Sequence, residues 1–295
     1  MELRLENLTK SFDGFKAVND VTYNMEKGVY GLLGVNGAGK TTIMRMLCTL
    51  LKPTCGRILY NGEDIFAMQG EYRRILGYLP QEFGFYPDFT VRDYLKYIAS
   101  IKGIGRGAAS KLVGDTIKMV GLEKVQYRKM KKLSGGMKRR AGIAQSILNN
   151  PKILILDEPT AGLDPKERIR FRNLISELSR DRIILLSTHI VSDIEYIANE
   201  ILLMKSGRII HSGSTSEIAA QVDQRVWSLV VPQNQVGFYM QNYKIGNIRT
   251  VGGNAEIRIL SRTCPDPSAR EERLNLEDVF LNYFGRKEDE DNDII

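Results

Sequence analysis

Gly34-Val35-Asn36-Gly37-Ala38-Gly39-Lys40-Thr41 fits the pattern G-x-x-x-x-G-K-[ST] at every position. Just before it, the short apolar run Val29 to Leu33 reads as a strand. Just after it, Ile43, Met46, Leu47 and Leu50 fall at i, i+3, i+4 and i+7, one face of a helix that Pro53 closes. Glycines at such a strand-to-helix turn let successive N–H groups point at phosphate oxygens, and the helix start adds a favourable dipole. In this reading Lys40 reaches the outer phosphates of a polyphosphate ligand and Thr41 offers its hydroxyl to Mg²⁺. The motif alone leaves the family of phosphate-binding protein open.

The surroundings of the loop set the fold class. Leu3 to Phe12 and Val21 to Met25 read as strands, with a turn at Asp13-Gly14. Residues 90 to 150 look mainly helical. Thr90 and Asp93 form a capping pair ahead of the stripe Tyr94, Leu95, Ile98, Ile101, and Lys111 to Met119 and Gly142 to Leu148 are also helix-like. The aliphatic runs Ile153 to Leu156 and Ile183 to Ser187 then return as strands, separated by a helix from about Lys166 to Ser179. Runs so purely aliphatic predict parallel strands buried on both faces. The fold class is therefore α/β, with a mostly parallel core sheet, an N-terminal antiparallel β part and a helical insertion at about 82–150. From residue 224 the texture changes. Trp227 to Val231 and the alternating Ala255 to Leu260 read as strands, and Leu276, Val279, Phe280, Tyr283 as a last helix. That predicts a small α+β accessory domain over 224–287, after a main domain of 1–223. The terminal residues 288–295 are acidic, and their composition predicts disorder.

Charge narrows the ligands without choosing one. The 295 residues carry a net +7, yet residues 288 to 293 hold five acidic groups, so the remainder carries +12 (42 basic against 30 acidic residues). A body this basic suits polyphosphates, nucleic acid or an anionic membrane face. No apolar run approaches the 18 or so residues of a membrane span, and the first residues show no signal-peptide core. Three scattered cysteines make neither a disulfide framework nor a metal site, and read as reduced thiols of a cytosolic protein.

A second chemical element follows the aliphatic run 153–156. A strand ending in Asp157 places that carboxylate at the carboxyl edge of the sheet, where it can hold Mg²⁺ through waters. Glu158 beside it suits general-base work on an attacking water; the plainer alternative is an acid that merely starts a helix. Between the two elements lies Leu133-Ser134-Gly135-Gly136-Met137.

In order, Phe12, the phosphate loop, Gln81, LSGGM, ILILDEPTAGLDP and His189 resemble the motif series of ABC-transporter ATPase subunits, over roughly residues 1 to 215. The resemblance implies a P-loop NTPase fold of the ABC type, ATP as substrate and Mg²⁺ as cofactor. It implies nucleotide contacts from Phe12 (stacked on adenine), from Gly34, Asn36, Gly37, Ala38, Gly39, Lys40, Thr41 and Thr42 of the loop, and from Ser134, Gly135, Gly136 and Asp164. It further implies catalytic roles for Glu158, His189, Gln81 and Lys40, and metal contacts from Thr41, Gln81 and Asp157. Met137 stands where the family commonly has Gln, which removes a side-chain amide and leaves the anion contacts in place. Variants with this Met resemble a branch of drug and lantibiotic exporters.

The family binds each ATP between the P-loop of one subunit and the signature of another. One P-loop and one LSGGM thus imply a second ATPase subunit, taken first as a second copy of this chain, and a separate transmembrane permease, a short helix of which is received by the region from about Gln81 through Ile101. The implied setting is the cytoplasmic face of the cell membrane, with no nucleic-acid partner. Two rivals remain: a soluble ABC ATPase acting on ribosomes or DNA, and an import ATPase. The stretch Arg128 to Arg140, with seven Lys or Arg in 13 residues, reads as a solvated face, or as electrostatic help for nucleotide or acidic lipid.

Overall fold

The computed structural model describes residues 1–285, so the acidic segment 288–295 lies outside the described residues. Contacts divide the chain into two compact units, Met1–His211 and Ser212–Ile295.

The first unit begins with β1 (Leu3–Phe12), β2 (Phe15–Met25) and β3 (Gly28–Leu33), followed by α1 (Lys40–Leu47). β4 (Cys55–Tyr60), β5 (Glu63–Asp64), α2 (Ile65–Met68), α3 (Gly70–Arg74) and β6 (Leu76–Leu79) come next. The insertion holds α4 (Val91–Ile101), α5 (Arg106–Met119) and α6 (Gly135–Ile147). The chain then runs through β7 (Ile153–Leu156), α7 (Pro165–Leu178), β8 (Ile183–Thr188), α8 (Val191–Glu195), β9 (Glu200–Lys205) and β10 (Arg208–Gly213).

Two sheets form. The antiparallel one has the order β2-β1-β4-β5, and the core sheet has the order β10-β9-β3-β8-β7-β6. In the core sheet β3 is parallel to β8 and β9, and β7 is parallel to β8 and β6. Every residue of β3, β7 and β8 is buried, as their aliphatic composition requires. Alternate residues divide between the faces. Tyr30, Leu32, Ile153, Ile155, Ile183 and Leu185 join one cluster with α1 (Ile43, Met44, Met46, Leu47) and with Leu3, Leu5, Val18 and Val21 of the antiparallel sheet. The opposite face is closed by helices: a Cβ on Gly31 would meet Ile194 of α8 at 3.1 Å. Each such buried aliphatic stabilises the fold by about 1.5–3 kcal/mol.

β2 starts earlier than its sequence signal, at Phe15, because the Asp13-Gly14 turn lets Phe12 pair directly with Phe15. Thr90 caps α4, accepting from Asp93 N at 3.1 Å.

The second unit contains α9 (Thr215–Ala220), β11 (Arg225–Pro232), α10 (Val236–Asn242), β12 (Lys244–Val251), β13 (Asn254–Ser261), β14 (Arg270–Glu272) and α11 (Leu276–Phe284). Its sheet runs β12-β13-β11-β14, with β11, β12 and β13 paired antiparallel. Trp227, Leu229, Val231, Ala255, Ile257 and Ile259 form its core with Tyr239 of α10. The boundary expected at 223/224 falls inside this unit, because α9 packs against α11.

Candidate functional site

The phosphate loop connects β3 to α1, as its position in the sequence predicts. Gly37 and Gly39 take φ of 82° and 103°, where a side chain is strained. At Gly39 space is also lacking: a Cβ would lie 2.2 Å from the Ala17 carbonyl oxygen. β2 thus presses on the loop, which places the hairpin carrying Phe12 beside it. Phe12 is 45% exposed with the Lys10 ammonium 5.1 Å from its ring centroid, so its face is not used by the core. Lys40 is buried, and its Nζ donates to the carbonyls of Gly34 (2.6 Å) and Val35 (2.9 Å). Burial pulls the Lys40 pKa down, and the nearby Asp157 and Glu158 carboxylates act against that. Ala38 is buried, Thr42 is half-buried, and Asn36 and Thr41 are exposed.

The carboxylates occupy the carboxyl end of β7. Asp157 is 1% exposed; its Oδ1 accepts from Ser187 Oγ at 2.6 Å, while Oδ2 has no partner among the described residues. The same Ser187 oxygen accepts from Glu158 N at 2.9 Å, so one hydroxyl from β8 serves both neighbours. Glu158 has φ of 48°, a left-handed conformation that costs a non-glycine residue about 1–3 kcal/mol and persists only where the surroundings enforce it. His189, just past β8, brings Nδ1 to 3.0 Å from Glu158 Oε2, without the alignment of a hydrogen bond.

Arg139 supplies much of that enforcement. It is 7% exposed, and it donates to five carbonyl oxygens: Pro80 (3.2 Å), Gln81 (2.8 Å), Asp157 (2.5 Å), Glu158 (2.5 Å) and Pro159 (3.1 Å). In the sequence it is one of seven cations in a basic stretch and carries no mark of its own. Ser187 is equally silent, reading only as the end of a strand. Both act on residues far away along the chain, so no local spacing betrays them.

The signature residues stand apart from the loop. Ser134 caps α6, accepting from Met137 N at 3.2 Å, and Ser134 and Gly135 are exposed. Among the described residues no hydrogen bond or ion pair joins Ser134, Gly135 or Gly136 to the loop 34–41. Asp164 caps α7, accepting from Glu167 N at 2.9 Å, and is exposed. A Cβ on Gly136 would lie 3.5 Å from Leu163, so the signature and the Asp164 turn are neighbours. Gln81 is exposed on the loop after β6.

No group of three His, Cys, Asp or Glu among the described residues could cage a metal ion. The oxygen set that is present, a buried unpartnered Asp157 Oδ2 and the Thr41 hydroxyl, fits Mg²⁺, which keeps several waters and takes further oxygens from a phosphate.

A strand-to-helix phosphate loop facing a buried carboxylate pair defines an ATPase site of the P-loop class. Residues 18–161 match the family described as ABC transporter. The bacitracin transport ATP-binding protein BcrA of Bacillus licheniformis is 39% identical over 211 residues, covering 70% of this chain and 68% of that one. The Nod factor export ATP-binding protein I of Burkholderia lata is 38% identical over 302 residues, covering 95% of this chain and 96% of that one. A solved structure of an ATP-binding subunit of an ABC transporter superposes with a TM-score of 0.68 at 27% identity, over 75% of this chain and 93% of that chain. The chain belongs to the ABC transporter family as an ATP-binding, ATP-hydrolysing subunit.

Proposed function

We propose that this chain powers an exporter. Two copies close on two ATP molecules, hydrolysis releases them, and a separate permease carries the cargo across the membrane. The likeness to the Nod factor export protein carries the choice of direction, because it covers 95% of this chain and so extends into the accessory unit. The composite site is supported by the exposed Ser134 and Asp164, which make no bond to their own phosphate loop and are free to meet the nucleotide of another copy.

In this reading each residue has a distinct role. The loop amides, Lys40 and Thr42 hold the phosphates, and Phe12 stacks on the base. Asp157 and Thr41, with Gln81, hold Mg²⁺, which supplies neutralisation of charge on the outer phosphate oxygens. Glu158, fixed by Arg139 and Ser187, takes the proton from the attacking water. His189, 3.0 Å from that carboxylate, donates to the γ-phosphate.

No helix of the described residues is long and apolar enough to cross a membrane, which is why a permease is invoked. Its landing place is the aromatic group on the loop after β6 and on α4. Tyr86 stacks on Phe89 at 4.9 Å, and Tyr97 meets Tyr86 edge-on at 5.1 Å, with Tyr86 and Tyr97 48% and 37% exposed. An apolar, partly solvated surface of this kind suits a short helix from the cytoplasmic side of a membrane protein.

Size-exclusion chromatography of Glu158→Gln tests the sandwich. Mg-ATP is expected to shift that variant to twice its monomer mass. A species that stays monomeric at saturating Mg-ATP removes the homodimer. The direction is tested in inverted vesicles with the permease, where ATP added outside is expected to drive cargo into the lumen.

A further inference from the structure

We propose that Arg139 is a positioning residue: a clasp between the signature helix α6 and the Asp157–Glu158 turn that holds the catalytic carboxylate in register. The inference rests on the assignment of Glu158 as base and concerns what keeps that base in place.

An arginine side chain carries five N–H donors in a fixed fork. Here all five are used, and every acceptor is a main-chain carbonyl. The choice of acceptors is specific. The Asp157 carbonyl belongs to the peptide plane before Glu158, and the Glu158 carbonyl to the plane after it. Fixing both planes fixes φ and ψ of Glu158, which is the residue in the left-handed conformation. The Glu158 amide is tied separately, to Ser187 Oγ at 2.9 Å. Two further bonds reach Pro80 and Gln81, so the loop carrying Gln81 is held by the same group. A lysine has no planar fork and cannot span these five directions.

The clasp also has a direction. Arg139 sits on α6, whose first turn is capped by Ser134. A nucleotide that pulls or pushes Ser134 moves α6, and Arg139 passes that movement to Glu158 and Gln81 without any contact between Ser134 and its own phosphate loop. Among the described residues no carboxylate is bonded to Arg139; the opposing charges of Asp157 and Glu158 nearby offset the cost of burying the cation.

The test uses the full chain and two variants, Arg139→Met, which keeps bulk and removes all donors, and Arg139→Lys, which keeps the charge. Fluorescent-nucleotide titration, steady-state kcat and KM, and thermal melting are measured for each. Misplacing a catalytic group costs roughly 100-fold, so kcat of Arg139→Met is expected to fall by about that factor. Nucleotide Kd and KM should stay within about three-fold, and Arg139→Lys should lie between. Combining Arg139→Met with Glu158→Gln should slow turnover no further than Glu158→Gln alone, because both act on one step. If Arg139→Met does not fold, Arg139→Lys carries the same split of kcat against Kd.

The clasp is overturned if kcat stays within two-fold of the parent in the folded variants. It is equally overturned if Kd weakens in step with kcat, which marks a purely structural role, or if the double variant loses the product of the two single factors. Should Glu158→Gln itself turn over at the parent rate, the base assignment fails instead, and the two failures are told apart.

Discussion

The phosphate loop and the carboxylate turn follow β3 and β7, the two strands that flank β8 in the core sheet, yet they are held in opposite ways. The loop is chiefly local. Lys40 bonds carbonyls six and five residues away, and Gly37 and Gly39 set the bend by their own conformations. The carboxylate turn is assembled from distance. Ser187 is 30 residues from Asp157, and Arg139 bonds carbonyls 18 to 59 residues away on both sides of it. A locally built site changes when its own residues change. A site assembled from three elements can be disturbed, or regulated, from any of them.

The largest effect is expected where the two halves do different work. Glu158→Gln should leave Mg-ATP binding intact and lower turnover by about 10²- to 10⁴-fold, the contribution of general acid–base catalysis. Turnover near the parent rate would remove the distinction between a binding half and a reacting half. Lys40→Ala addresses the other half. Charge-assisted hydrogen bonds contribute about 1.5–3 kcal/mol, so nucleotide affinity should weaken by about 10- to 150-fold in a titration. Its melting temperature should move little, because its bonds serve only the loop. A large loss of thermal stability in this variant would show that the loop is not local after all.

Ser187→Ala gives the smallest effect and the sharpest reading of long-range support. It removes one hydroxyl and leaves Asp157 Oδ1 and the Glu158 amide without that partner. Unmet buried groups cost about 1–3 kcal/mol, so melting should fall by several degrees and turnover by about ten-fold with nucleotide affinity kept. Unchanged turnover would mean that Arg139 alone secures the turn.

Much of the fold was legible. Ile153 to Leu156 and Ile183 to Ser187 announce themselves because strands buried on both faces are built mainly from aliphatic residues. Thr90 and the stripe after it mark α4 because capping and helical period are local. β12 was not legible: Lys244 to Val251 is an edge strand, mostly exposed, so burial imposes no alternation on it. The start of β2 was missed for a related reason, since Phe15 to Asp20 is held by pairing with β1 rather than by an apolar pattern. The accessory unit begins before its sequence signal because α9 gains its partner, α11, near the other end of the unit.

The sequence alone determined the phosphate loop, the strand ending in Asp157 and Glu158, the signature at a helix start and the order that joins them. Each is encoded within a few consecutive residues, where spacing and backbone preference act directly. Only the tertiary structure decided that Arg139 is a buried clasp rather than one more surface cation. It also decided that Ser187 serves both neighbours in the turn, and that Glu158 is held left-handed. These depend on hydrogen bonds between segments tens of residues apart, and such bonds are fixed only once the sheet and helix α6 have brought the partners together.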